Sequence, residues 1–307
     1  LLPRVNLFIA DDVGLGKTIE AGLIVRELLM RQRARRIVVA APPSVVLQWK
    51  EELDQRFGLS FVVFDRDYVR RMRQERGYGV NPWGTHSRFI VSHHLLRDED
   101  YASPLRDWLG SFAAQSLLIL DEAHNAAPAS GARYAIDSQF TKSIRELAPR
   151  FEHRLFLSAT PHNGHSNSFS ALLEILDPQR FCRGVPVESA KLLEPVMVRR
   201  LKDDLRRLQG GFPERHIVEV RVEGLPDDSP ELVLPQLLDD YRTAREQRLQ
   251  TATRSAQAAA ALVVCGLQKR LLSSIEAFAS TLAVHRRAFE AQVAKGAATP
   301  AAAPTAA

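Results

Sequence analysis

One lysine, one threonine and two adjacent carboxylates are the residues of this 307-residue chain best suited to phosphate chemistry. Lys17 and Thr18 close the stretch Asp11-Asp12-Val13-Gly14-Leu15-Gly16-Lys17-Thr18. Its two glycines let the backbone wrap an anion with no side chain in the way. Amide N–H groups at a following helix start then face the anion's oxygens. In such a loop Lys17 reaches the β- and γ-phosphates of a nucleotide, and the Thr18 hydroxyl binds Mg²⁺. The gripping set is read as Gly14, Leu15, Gly16, Lys17, Thr18 and Ile19. Far along the chain Asp121 and Glu122 follow the apolar run Leu117-Leu118-Ile119-Leu120. Asp121 can hold Mg²⁺ through its waters, and Glu122 can accept a proton from an attacking water.

These groups work together only if a fold brings them to one place. Val5 to Ala10 reads as a buried strand, and Ile19 to Met30 as a helix with Ile19, Leu23, Ile24, Leu28 and Leu29 at helical spacing. A strand, a glycine turn and a helix are the setting a phosphate loop requires. The bland alternatives are a chance Gly-Lys-Thr turn and an acidic surface turn, and this context weighs against both. The generic motif puts glycine where Asp11 stands, so the match is partial. Further short strands are expected at Ile37–Ala41, Phe61–Phe64, Phe89–Val91, Leu117–Leu120 and Leu155–Leu157, with an alternating one over 216–222. Parallel sheets place ligands at the carboxyl ends of their strands, where both motifs would lie.

Other residues at those strand ends have readable chemistry. Ser44, after Pro42-Pro43, is expected as an N-cap or first-turn hydroxyl at a helix start that can hold a backbone phosphate of a nucleic acid. Ser158 and Thr160 can hydrogen-bond the acids and relay the nucleotide state. Tyr78 and Trp83 can stack on bases, although covering a core edge is the expected role. The pairs His93-His94 and His162/His165 lack further ligands at a metal spacing, so no metal site is expected there.

Composition sets the outer limits. The chain is 45% hydrophobic and 25% charged, enough for a sizeable core. A net charge of +5 is compatible with a nucleic-acid partner without requiring one. Cys182 and Cys265 lie far apart with no metal-ligand spacing, which suggests free thiols in a reducing compartment. No apolar run approaches the roughly 20 residues needed to span a bilayer, and no signal peptide is visible. The expected setting is cytoplasmic, and the abrupt start reads as a piece of a longer protein.

The order DDVGLGKT, VVAAPPSVVLQWKEEL, LILDEAH and LFLSATP resembles the first motor lobe of superfamily 2 helicases, and more narrowly the SNF2-type double-stranded DNA translocases. Aspartate in place of the first loop glycine is what that family shows. The resemblance covers roughly Val5 to Val222 and includes MVRRLKDDL, which precedes the family's last lobe-one strand. SATPHNG and LDPQRF resemble the bacterial RapA-like branch. GYGVNPW, SATPHNGHSNSF and LQKRLLSSIEAF resemble the SNF2-like helicase subunit of DISARM anti-phage systems.

The resemblance implies an α/β fold, a RecA-like (P-loop) mostly parallel sheet flanked by helices with a C-terminal helical extension. It implies a lobe over 1–224 and a helical protrusion or linker over 225–295, while the composition of 296–307, all Ala, Gly, Pro and Thr, predicts a disordered tail. ATP and Mg²⁺ would be the cofactors, with Lys17, Asp121 and Glu122 catalytic and Thr18 and Asp121 on the metal. His124, Ser158 and Thr160 would couple ATP to DNA, and Ser44 and Gln48 would touch it. Double-stranded DNA is the expected partner, beside subunits of a defence or transcription-associated complex. The family's adenine-reading glutamine and second lobe fall outside this chain, so the isolated chain is expected to bind nucleotide weakly and hydrolyse it very slowly. A DEAH-type RNA or single-strand helicase and a nucleotide-gated scaffold without turnover are the alternatives.

Overall fold

Short runs of valine, isoleucine, leucine and phenylalanine with apolar residues at successive positions need cover on both faces. In the computed structural model they receive it. The structure describes residues 4–128, 137–161, 166–187, 189–209, 217–219, 224, 226 and 228–294. It divides into two compact units, Leu1–Glu214 and Arg215–Ala307.

In the first unit the strands are β1 (Asn6–Ile9), β2 (Arg36–Ala41), β3 (Val62–Phe64), β4 (Arg88–Ser92), β5 (Ala113–Leu120), β6 (Phe151–Leu157) and β7 (Met197–Val198). They form one sheet in the order β3-β4-β2-β5-β6-β1-β7, and every pairing is parallel. Parallel neighbours need long crossovers. These carry α1 (Lys17–Met30), α2 (Val46–Phe57), α3 (Arg66–Arg76), α4 (Glu99–Leu109), α5 (Gln139–Leu147) and α6 (Ser166–Leu176), followed by α7 (Ala190–Leu193) and α8 (Lys202–Gln209). This is the RecA-like architecture that the motifs imply.

Successive strand residues serve opposite layers, as the two-residue period demands. Ile9, Ile37, Val39, Leu117, Ile119 and Leu155 pack with Val25 and Leu28 of α1 and Trp49 and Leu53 of α2. Phe8, Val38, Leu118, Leu120 and Phe156 pack with residues of α3 to α6 on the other face. Gly22 marks where α1 and α2 touch: a Cβ there would lie 2.2 Å from the Phe57 ring. That contact accounts for a glycine inside a helix, where it otherwise costs about 1 kcal/mol.

The seventh strand corrects the sequence reading, which assigned no element to residues 196–202. Met197 and Val198 pair with Phe8 and Ile9 of β1. The ladder continues beyond the strand, with Ala10 N–H donating to Val198 O at 2.7 Å and Asp12 N–H to Arg200 O at 3.0 Å. Of the strand expected over 216–222, residues 217–219 carry no strand and the rest lies outside the described residues. His162, His165 and the tail 296–307 also lie outside them.

The second unit holds α9 (Pro230–Arg248), α10 (Arg254–Ser273) and α11 (Ile275–Ala294). Leu238, Leu267 and Phe278 form its buried centre. No described helix is long and apolar enough to cross a membrane.

Candidate active site

Three adjacent strands decide where the chemistry sits. Ile9 at the end of β1 is level with Leu157 of β6, and Leu120 at the end of β5 is level with Phe156. The turns after β1, β6 and β5 therefore open side by side, carrying the glycine loop, Ser158 with Thr160, and the acids. Lys17 is close enough that its charge favours ionisation of both Asp121 and Glu122.

The glycine loop has the backbone its sequence demands. Gly14 and Gly16 take φ of +78° and +86°, which residues with a Cβ rarely adopt. Gly16 precedes the first turn of α1, which contains Lys17, Thr18, Ile19 and Glu20. The Lys17 ammonium donates to Asp11 O at 2.9 Å and Asp12 O at 3.2 Å, which holds it within the loop. Leu15 lies on the loop between the two glycines, and its N–H donates to Asp12 O at 3.4 Å.

Asp11 owes its presence to a residue that sequence reasoning missed. Its side chain is fully buried. It accepts the Arg200 backbone N–H at 2.9 Å and the Arg200 Nε–H at 2.8 Å. The same guanidinium pairs with Glu20 on α1. Arg200 thereby ties the loop, the edge strand and the first helix together. Two residues on, the Lys202 N–H donates to Asp12 Oδ2 at 3.4 Å, and its ammonium lies 3.8 Å from where a Gly14 Cβ would be.

Across the rim the acids are held separately. Asp121 accepts the Glu122 N–H on Oδ1 at 2.9 Å and the Trp49 indole N–H on Oδ2 at 2.8 Å. Burial pushes its carboxyl above the usual range, despite those donors. A carboxylate and the hydroxyl in the first turn of α1 are oxygen donors of the kind Mg²⁺ takes, so Asp121 and Thr18 are the residues that would hold it. Glu122 has φ of 45°, a left-handed conformation uncommon for a residue with a side chain. Its carboxyl is held below the usual range, chiefly by the His124 hydrogen bond, so it is ionised at neutral pH.

His124 Nδ1 is a shared point. It lies 3.2 Å from Glu122 Oε2, 2.9 Å from Ser158 Oγ and 3.4 Å from Thr160 Oγ1. The structure thus brings together Glu122, His124, Ser158 and Thr160, which the sequence places 38 positions apart at most.

His93 belongs to the support of this rim. It is buried, lies within hydrogen-bond reach of Ala40 O at 3.3 Å, and packs 4.4 Å from the Phe140 ring. Burial lowers its pKa from 6.5 to about 4. The unfolded chain binds this proton near pH 6.5 while the folded chain refuses it until about 4, so stability falls as pH drops through that window. At pH 5 the loss from His93 alone is about 2 kcal/mol. Thermal melts at pH 7 and 5 should show a smaller drop for His93→Gln than for the native protein; equal drops would remove His93 as the cause.

Ser44 and Gln48 face outward near the start of α2. Of the two roles expected of Ser44, N-cap or first-turn hydroxyl, the first is not met: it lies in the 3-10 turn that leads into the helix, and no side chain caps α2. Gln48 donates to Glu52 at 2.8 Å. Trp83 is fully buried and stacked on Phe64 at 3.7 Å, so it covers a core edge, whereas Tyr78 is 85% exposed.

Residues 3–189, more than half of the chain, match the family model described as the SNF2-related domain. The chain belongs to the SNF2-related domain family. This SNF2-related domain is 38% identical over 180 residues to the RNA polymerase-associated protein RapA of Yersinia enterocolitica, spanning 58% of this chain and 17% of that protein. RapA of Erwinia tasmaniensis is 37% identical over the same lengths. The chain thus spans about a sixth of these relatives. Among solved structures, it is similar to the Sulfolobus solfataricus SWI2/SNF2 ATPase core in complex with dsDNA, with 18% identity and a TM-score of 0.48 over 86% of this chain and 53% of that one. The Pyrococcus furiosus Hef helicase domain gives 17% identity and a TM-score of 0.46 over 95% and 61%.

Proposed function

We propose that this SNF2-related domain is the ATP-binding lobe, residues 1–224, of an ATP-driven translocase on duplex DNA, with 225–295 a helical protrusion or linker. The supporting observation is the meeting of Lys17, Asp121 and Glu122 at one rim of the sheet. Loop amides and Lys17 bind the triphosphate and set its orientation. Mg²⁺, when bound, neutralises charge on the phosphate oxygens. Glu122 takes the proton of the attacking water onto its carboxylate. Ser158 and Thr160, through His124, carry the state of that carboxylate to the strand end. Ser44 and Gln48 supply the backbone-facing contacts to DNA.

ATP hydrolysis by the full-length protein, measured with duplex DNA, single-stranded DNA and RNA, tests the reading. Stimulation by duplex DNA, falling steeply with salt and depending little on sequence, is expected. Stimulation by RNA or single strands alone would favour a DEAH-type helicase. Absence of turnover with every polymer would favour a nucleotide-gated scaffold. Identity to proteins named for association with RNA polymerase favours a transcription-associated setting over phage defence. Retention of core RNA polymerase by the full-length protein would support that setting, and protection of cells against phage without such retention would reverse it.

A further inference from the structure

We propose that Trp49 is a positioning residue that links the outward face of α2 to the Asp121 carboxylate, so that a polyanion bound at the start of α2 alters the metal-binding acid. The proposal rests on the motor reading above and gives it a route for DNA-dependent control.

Trp49 is 1% exposed, whereas the two residues before it are turned outward: Leu47 is 65% exposed, and Gln48 faces solvent. Ser44 is exposed in the turn before. One helix turn therefore presents Gln48 beside Leu47 outward and an indole inward. The inward indole N–H reaches Asp121 Oδ2 at 2.8 Å, across 72 residues of sequence. Buried indoles require an acceptor, but a backbone carbonyl suffices. Trp83 uses one, donating to Tyr101 O at 3.1 Å. Trp49 is instead placed on Asp121, the carboxylate that would hold Mg²⁺.

That carboxylate is a junction. Oδ2 takes α2's indole, and Oδ1 takes the backbone N–H of Glu122, the residue held at φ of 45°. A shift of α2 by a few tenths of an ångström must lengthen the indole bond or turn the carboxylate. Turning it moves a metal-binding oxygen and loosens the backbone of the proton acceptor together. Val46, Trp49 and Leu53 anchor the inner face of α2 in the core, so the helix moves as a unit.

Two measurements on the full-length protein test this. The first is Trp49→Phe, which keeps an aromatic ring and removes the N–H; a melting curve checks its fold. The Mg²⁺ concentration for half-maximal binding of a fluorescent ATP analogue should rise about tenfold, in line with loss of a partner behind a metal ligand. The effect of duplex DNA on that midpoint, present in the native protein, should disappear. The second uses the native full-length protein, whose Trp49 indole N–H resonance in a proton–nitrogen correlation spectrum is assigned by its loss in Trp49→Phe. The Trp49 resonance should shift on adding Mg²⁺ with nucleotide, and again on adding duplex DNA.

A native protein that responds to duplex DNA with an unmoved Trp49 resonance would overturn the link, as would a folded Phe variant with native Mg²⁺ and DNA responses. A native protein deaf to duplex DNA would overturn the motor reading itself, and the link with it.

Discussion

Glu122→Gln should bind ATP within about threefold of the native affinity and slow hydrolysis by the full-length protein by about 10²- to 10⁴-fold. The amide keeps the size and shape of the side chain but cannot take up the proton of the attacking water. The native carboxylate suits that task because His124 holds it ionised. Lys17→Ala should differ, losing binding and turnover together, since Lys17 is the loop's own cation. Equilibrium binding of a fluorescent nucleotide, followed by a single-turnover assay, separates the two patterns. A Gln variant that hydrolyses ATP at the native rate would remove Glu122 as the base.

Asp11→Gly, which restores the generic phosphate-loop motif, should weaken the protein. It deletes a buried acceptor of the Arg200 N–H and Nε–H and leaves the guanidinium with Glu20 alone. Breaking a buried pair from one side costs about 3–5 kcal/mol. The Arg200 side chain is 44% exposed, so water recovers part of that, and about 2 kcal/mol is expected. For a unit of this size the melting temperature should drop by about 4–8 °C. The loop also loses its tether to β7, so nucleotide affinity should fall about tenfold through lost preorganisation. Arg200→Gln should reproduce both changes. A glycine variant with native melting and native affinity would show that Arg200 only decorates the edge of the sheet.

Much of this arrangement was readable from the chain. Six strands announce themselves as short apolar runs at least three residues long, and parallel topology then forces their carboxyl ends onto one rim. That is why the loop at 11–18 and the acids at 121–122 could be paired in advance. The seventh strand was not readable, because two residues, Met197 and Val198, are too few to show a period. Arg200 was missed for a different reason: its partner Asp11 lies 189 positions away, and Asp11 looked like a motif mismatch. Trp49 is buried, as a large apolar side chain on an amphipathic helix would be, but no local pattern tells where an indole N–H points. Ser44 had the right residue type for a cap, yet the turn at Pro43 starts the helix after it.

The His124 ring imposes a choice. A single nitrogen, carrying either one proton or one lone pair, cannot satisfy Glu122, Ser158 and Thr160 at once. When it serves the hydroxyls, Glu122 loses the bond that most favours its charge and becomes hungrier for a proton. When it serves Glu122, the hydroxyls are left to seek other company. Proton affinity at one strand end and hydroxyl orientation at the next are thereby made to alternate rather than coincide.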